Sequence, residues 1–293
     1  MKNALNLAEQ VALLRTRGLV MGDDDATSTA ARLFLYGTNY YRFSGYARYF
    51  QIAPGRGDDR YRAGTSFAQI RDLYEFDLQL SRLLFDGLAE IEVVFRGRFA
   101  YELATRLTTP CDYLDRPTYL QEFTQNGTDL RERLVEKISR ELERSKEPFI
   151  SHHIKKGKRV PIWAAVEALS FGTLSQMFDL IENVAVVDAV GKSLSLPRTI
   201  APGTFHSLAV LRNICAHHGR IWNRVPARAV PVRQVLVRER LQNVDNRSAF
   251  AWAVVVADLV DTIRKTATYS AALYDFLDEY PEASQGLRHP RLT

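Results

Sequence analysis

The chain has 293 residues, 46% hydrophobic and 25% charged, with a net charge of +5 and a pI near 9.2. That length can bury a sizeable core, in one large domain or two small ones, and the composition is that of an ordinary globular protein. Two cysteines far apart, Cys111 and Cys215, offer no disulfide framework and no zinc-ligand spacing, which favours a reducing cytoplasm.

Met1 to Gly18 carries Glu9, Arg15 and Arg17 among its leucines, the pattern of neither a signal peptide nor a membrane anchor. Ala4 to Arg17 reads as a short helix, and Asp23 to Ser28 supplies turn and N-cap residues for a second. Asn39 to Phe50 is dense in aromatics and arginine. Its Tyr40, Tyr41, Phe43 and Tyr46, with Arg42 and Arg48, could stack bases and hold phosphates, but aromatics this dense more often form core. Pro54 to Asp59 is a loop signal. Ser66 to Arg106 repeats apolar residues every three or four positions, as one very long helix or two joined near Gly87 or Gly97.

Thr108 to Pro117 breaks the pattern, and Leu130 to Arg144 is a charged amphipathic helix. Pro161 to Ile181 reads as a helix with proline in its first turn, Gly191 to Gly203 as a linker, and Thr204 to Asn223 as a helix. Pro226 to Arg238 is looser, with strand-like alternation, before a helical region over Ala249 to Tyr280. The longest apolar run, near Phe250 to Val260, is too short to span a bilayer. Helical patterns without βαβ alternation predict an all-α bundle.

Phe205 to Arg238 holds Arg212, Arg220, Arg224, Arg228, Arg233 and Arg238 and no acid, and a second basic stretch runs from His152 through Lys155, Lys156 and Lys158 to Arg159. Such clusters suit a polyanion, since phosphate contacts release counterions; a solvated basic face is the alternative for either cluster alone. His152 and His153 read as part of a basic loop facing solvent or an RNA backbone. Gly191-Lys192-Ser193 is no phosphate loop, because Val186 stands where glycine is required.

On a helical wheel Leu208, Leu211, Cys215, His218 and Trp222 share one face, and His206, Asn213, His217, Arg220 and Arg224 the opposite one, with Arg212 at its border. His218 therefore reads as a core or interface residue and His217 as the chemically placed imidazole. Imidazole can move a proton near neutral pH, and guanidinium can hold a phosphate and stabilise charge developing on it. Those groups suit metal-free RNA cleavage by the ribose 2′-OH. From spacing alone, an ordinary polar surface face remains the other reading. Glu167, one turn after Trp163, could reach such a cleft, but a structural ion pair is the favoured role.

Arg212-Asn213-Ile214-Cys215-Ala216-His217 resembles the arginine–histidine signature of HEPN ribonucleases, and Leu211 to Arg224 is similar to the Abi-like branch, the AbiD/AbiF proteins of abortive infection. Tyr40-Tyr41-Arg42-Phe43-Ser44-Gly45-Tyr46 and Pro161 to Gly172 are similar to that family's N-terminal and central blocks, in the expected order, and Gln10 to Leu14 and Arg17-Gly18-Leu19 also fit. The resemblance runs from about residue 8 to beyond Arg224. It implies a HEPN-type helical bundle with additional N- and C-terminal helices. The expected organisation is a single domain over 1–293, with a core of about 8–225 and a C-terminal helical extension over 226–293. It further implies Arg212 and His217 as the catalytic pair, Asn213 as their positioner, and a homodimer in which two motifs line one cleft. No metal or cofactor is expected. The partners would be a target RNA and, as for some relatives, a small non-coding RNA, in phage defence and away from membranes. Arg220, Arg224, Lys155, Lys156, Lys158, Arg159 and Arg42 are the candidate RNA contacts. Two other classes stay open: a non-catalytic RNA-binding or guide-RNA scaffold, and an antitoxin-like interaction protein.

Overall fold

A computed structural model describes residues 4–22 and 24–291. The start of the N-terminal stretch, Asp23 of the predicted turn and the last two residues of the 226–293 extension lie outside them. The described residues hold fourteen α-helices and one two-stranded ribbon, so the chain is all-α as expected. They separate into two compact units, one reaching Ser81 and taking in the chain's end from Pro290, the other Arg82–His289.

Unit 1 begins with α1 (Leu7–Thr16), closed at its start by a capping box in which Asn6 and Glu9 satisfy each other's backbone N–H groups. Asp24 caps α2 (Asp25–Thr38), and Asn39 joins it to α3 (Tyr40–Ala47). The predicted loop at Pro54 is the tip of a small antiparallel hairpin, β1 (Gln51–Ala53) and β2 (Asp58–Tyr61), with Gln51 opposite Tyr61. The aromatic block divides. Phe43 stacks on Phe67 at 5.0 Å and Tyr46 donates to Asp77 Oδ2 at 2.6 Å, both buried, while Tyr41 is exposed. The core reading therefore holds for Phe43 and Tyr46.

α4 (Phe67–Ala104) is one unbroken helix, about 57 Å long at 1.5 Å per residue. Neither Gly87 nor Gly97 interrupts it. Gly87 is required for packing, since a Cβ there would lie 2.6 Å from the Tyr269 hydroxyl.

Unit 2 takes α4 from Arg82 onward, then α5 (Leu130–Arg144), α6 (Pro148–Lys155), α7 (Ile162–Ala168), α8 (Phe171–Leu180), α9 (Val184–Ser193) and α10 (Ala201–Ala216). It continues with α11 (Gln234–Arg240), α12 (Ala249–Arg264), α13 (Thr268–Glu279) and α14 (Pro281–Arg288). Several expectations need correction. The Pro161–Ile181 helix is two helices, because Ser170 caps α8 by accepting from the Thr173 N–H at 3.2 Å. His152 and His153 belong to α6 rather than to a loop, and the expected linker after Gly191 begins inside α9. Pro226 to Arg238 forms no strand; it is irregular up to α11.

The core of unit 2 is aromatic: Phe95 of α4 stacks on Phe205 of α10 at 4.0 Å, with Phe178 of α8 edge-on to both. The apolar run Phe250–Val260 is buried in α12, and no helix of the described residues is long and apolar enough to cross a membrane. The C-terminal helices bond to α10 and to the segment that follows it. Trp252 Nε1 donates to Ser207 Oγ at 2.7 Å, and Trp222 Nε1 to the Ala283 carbonyl at 2.9 Å.

Candidate active site

Arg212 lies in the last turns of α10, whose Phe205, Leu208 and Leu211 are buried. Its guanidinium is anchored. Nε donates to Glu92 Oε2 at 3.0 Å, Nη2 to Glu92 Oε1 at 3.4 Å, and Nη1 to Asn213 Oδ1 at 3.1 Å. Three of its five N–H groups are thus used and two remain for a ligand. Glu92, on α4, is buried and also pairs with Arg96 one turn on. Arg96 in turn donates to the Val166 and Leu169 carbonyls, the latter at 2.7 Å, satisfying the C-terminal end of α7. One ionic chain therefore runs from the central block through α4 to Arg212.

The helix stops sooner than the wheel assumed. His217 is the C-cap, and His218 turns left-handed at φ 53°. The Gly219 N–H bonds the Ile214 carbonyl at 2.7 Å and the His218 N–H the Cys215 carbonyl at 3.0 Å, the two bonds of a Schellman closure. His218 is consequently exposed and not in the apolar stripe, and Trp222 is buried from outside the helix. Arg220 and Arg224 leave the shared helical face as well. They lie half-buried beyond it, with Arg224 Nε donating to the Arg220 carbonyl at 2.6 Å.

Asn213 touches both halves of the motif: its side chain accepts from Arg212, and its carbonyl from the His217 N–H at 3.0 Å. His217 is exposed, and its ring makes no hydrogen bond among the described residues. A tethered guanidinium can hold an anion, and an open imidazole at the end of the same helix can exchange a proton. Among the described residues no three His, Cys, Asp or Glu side chains gather in a metal-binding arrangement.

The arginine-rich segment is less available than its sequence implies, because α4 and α12 bring acids to it. Arg233 pairs with Asp258, whose carboxyl is pushed up by burial and pulled back down by that arginine. Arg159 pairs with Asp115 at 2.7 Å, whereas Lys155, Lys156 and Lys158 are exposed and make no ion pair among the described residues. None of the four shares a hydrogen bond or ion pair with α10 among those residues. Arg42 is exposed on α3 in unit 1. Glu167 is exposed without an ion pair among the described residues, so Glu92 holds the structural role expected of it. The Glu92–Arg96 spacing of one helical turn inside an apolar run was the available signal for Glu92.

A family model described as Abi-like protein matches residues 33–223, about two thirds of the chain and all of Arg212 to His217. No curated protein and no solved structure matches the chain.

Proposed function

The chain belongs to the Abi-like protein family, and from that premise we propose that it is a HEPN-type endoribonuclease that cuts RNA without a metal ion. Abortive infection, a defence against phage, is the setting that membership suggests. The observation that carries the reading is the Arg212–Asn213–His217 arrangement, in which a buried carboxylate fixes the cation and leaves the imidazole open.

In this mechanism His217 takes the proton of a ribose 2′-OH as the 2′-oxygen bonds to phosphorus. The bond from phosphorus to the 5′-oxygen breaks, and that oxygen leaves with a proton. The two remaining N–H groups of Arg212 hold the phosphate oxygens as charge builds on them. The products are a 2′,3′-cyclic phosphate and a 5′-hydroxyl. A homodimer would bring a second His217 to protonate the leaving oxygen. Target RNA, and a small non-coding RNA held with it, would be the partners, in the cytoplasm. Lys155, Lys156 and Lys158 would be backbone contacts away from the reacting phosphate, with Arg220 and Arg224 as contacts just beyond the helix end.

The test is RNA cleavage in EDTA by the full chain and by His217→Ala and Arg212→Ala, with the ends of the products determined and the mass in solution weighed. Expected are cyclic phosphate ends, a dimer mass, and a loss of about 10²- to 10⁴-fold in either variant. Cleavage that survives both substitutions, or that requires a divalent ion, overturns the mechanism; a monomeric mass in an active preparation removes the dimer.

A further inference from the structure

Unit 1 contains a groove of about 740 Å³ made entirely of its own residues, at α1, α2, α3 and the hairpin. That volume lies within the range of about 300–1,000 Å³ typical of ligand sites. Tyr36 and Tyr41 line it, 79% and 84% exposed, an unusual state for two large aromatic side chains on adjoining helices.

Asn39 sets their placement. It is at once the C-cap of α2 and the N-cap of α3, at φ 69°, and its Oδ1 accepts from the Tyr41 N–H at 2.9 Å. The left-handed turn there puts Tyr36 three residues before the bend and Tyr41 two after it. Tyr40 braces Tyr41 edge-on, with ring centres 6.3 Å apart, and its hydroxyl accepts from Arg17 Nη1 at 3.3 Å.

Two further features narrow the ligand. The groove lining includes two guanidiniums, Arg17 and Arg48, and the Asp59 carboxylate, which pairs with Arg17 at 2.7 Å. Gln10, also in the lining, spends its amide N–H on the Leu5 carbonyl at 2.9 Å, while its buried Oε1 has no donor among the described residues. An aliphatic ligand would leave that oxygen unpaired. A nucleobase offers a flat face for tyrosine, N–H donors on its edge for Gln10, and a phosphate for the cations.

We propose that this groove binds a single-stranded RNA segment, stacking its bases on Tyr36 and Tyr41 with Gln10 accepting from a base edge. The choice of RNA over a free nucleotide rests on the ribonuclease reading above; the groove's chemistry stands on its own residues.

The experiment uses the full-length protein carrying His217→Ala to prevent cleavage, in EDTA, with a labelled twelve-nucleotide oligo(U) or oligo(A) and anisotropy as the readout. Tyr36→Ala and Tyr41→Ala should each raise Kd about tenfold, and Tyr→Phe at either position should restore it. Both side chains are exposed, so thermal melts of the variants should match that of the parent. Unchanged affinity in the double Tyr→Ala variant overturns the groove, even if His217→Ala abolishes cleavage. Groove-dependent binding by a chain that never cuts RNA leaves the groove and sinks the ribonuclease reading. Free UMP or AMP should displace the oligonucleotide only at millimolar concentrations; displacement at micromolar levels overturns the strand in favour of a free nucleotide.

Discussion

Arg212 and His217 belong to one short segment, yet the fold treats them in opposite ways. Arg212 is tied on two sides, to a buried carboxylate of α4 and to Asn213, and through Glu92 and Arg96 to the end of α7. His217 is the C-cap, directly before a left-handed residue, with its ring open. The difference suits what the proposed cleavage would ask of each group. A cation that stabilises developing charge gains from being fixed before the reaction, because no reorganisation is then needed. A proton carrier must meet its partner and exchange, so an exposed ring on a rigid backbone serves it better.

The largest effect should come from cutting the anchor. Glu92→Ala leaves two neighbouring guanidiniums, Arg96 and Arg212, without their buried carboxylate. Loss of one partner from a buried ionic set costs about 3–5 kcal/mol, so a clear fall in the urea midpoint is expected, together with lost RNA cleavage. His217→Ala should lose cleavage while staying within about 0.5 kcal/mol of the parent in stability, as surface substitutions do. Equal stability losses in the two variants would erase the contrast between the two residues.

A smaller effect is expected from the platform behind the motif. Gly286 of α14 packs under Trp222, and a Cβ there would lie 2.3 Å from the indole Nε1, which is bonded to the Ala283 carbonyl. Gly286→Ala should therefore cost about 1–3 kcal/mol by overpacking. If the ionic anchor is independent of this platform, Arg212-dependent RNA cleavage in the folded fraction should persist. Activity lost at temperatures where circular dichroism shows the variant still folded would mean that the C-terminal helices set the site itself.

What could be read in advance follows the range of the interactions. α5 was legible to its ends, because its pattern is amphipathic and Asp129 caps it locally. The break between α7 and α8 was hidden, because the apolar spacing continues across Ser170. For Glu92 only the one-turn spacing to Arg96 was local; its pairing with Arg212, 120 residues away, was not. The apparent excess of free arginines arose in the same way, since Arg233 finds its acid on another helix. In unit 1 the density of aromatics was visible but not its division into a buried set and an open pair, and Tyr36 lay outside the block altogether. Local capping and periodicity reach a few residues; ionic pairing and burial are tertiary.

The smallest expected effect bears most directly on which histidine acts. His218 adopts φ 53°, a conformation in which Cβ crowds the backbone and which helices commonly assign to glycine at this position. The wheel extended the helix through it because nothing before Gly219 signals a stop, and the two adjacent rings then appeared on opposite faces. In the fold both are exposed, so burial does not separate them; the backbone does. His217 keeps a negative φ, −95°, and its N–H bonds the Asn213 carbonyl, whereas His218 belongs to the closing turn. His218→Gly should relieve the strained position, partly offset by the greater freedom of glycine in the unfolded chain, for a net gain of up to about 1 kcal/mol. The urea midpoint should rise slightly and RNA cleavage should be unchanged. A loss of cleavage as large as that of His217→Ala would transfer the proton-carrying role to the left-handed residue, and the pairing of a fixed arginine with an open helix-end histidine would have to be redrawn one position later.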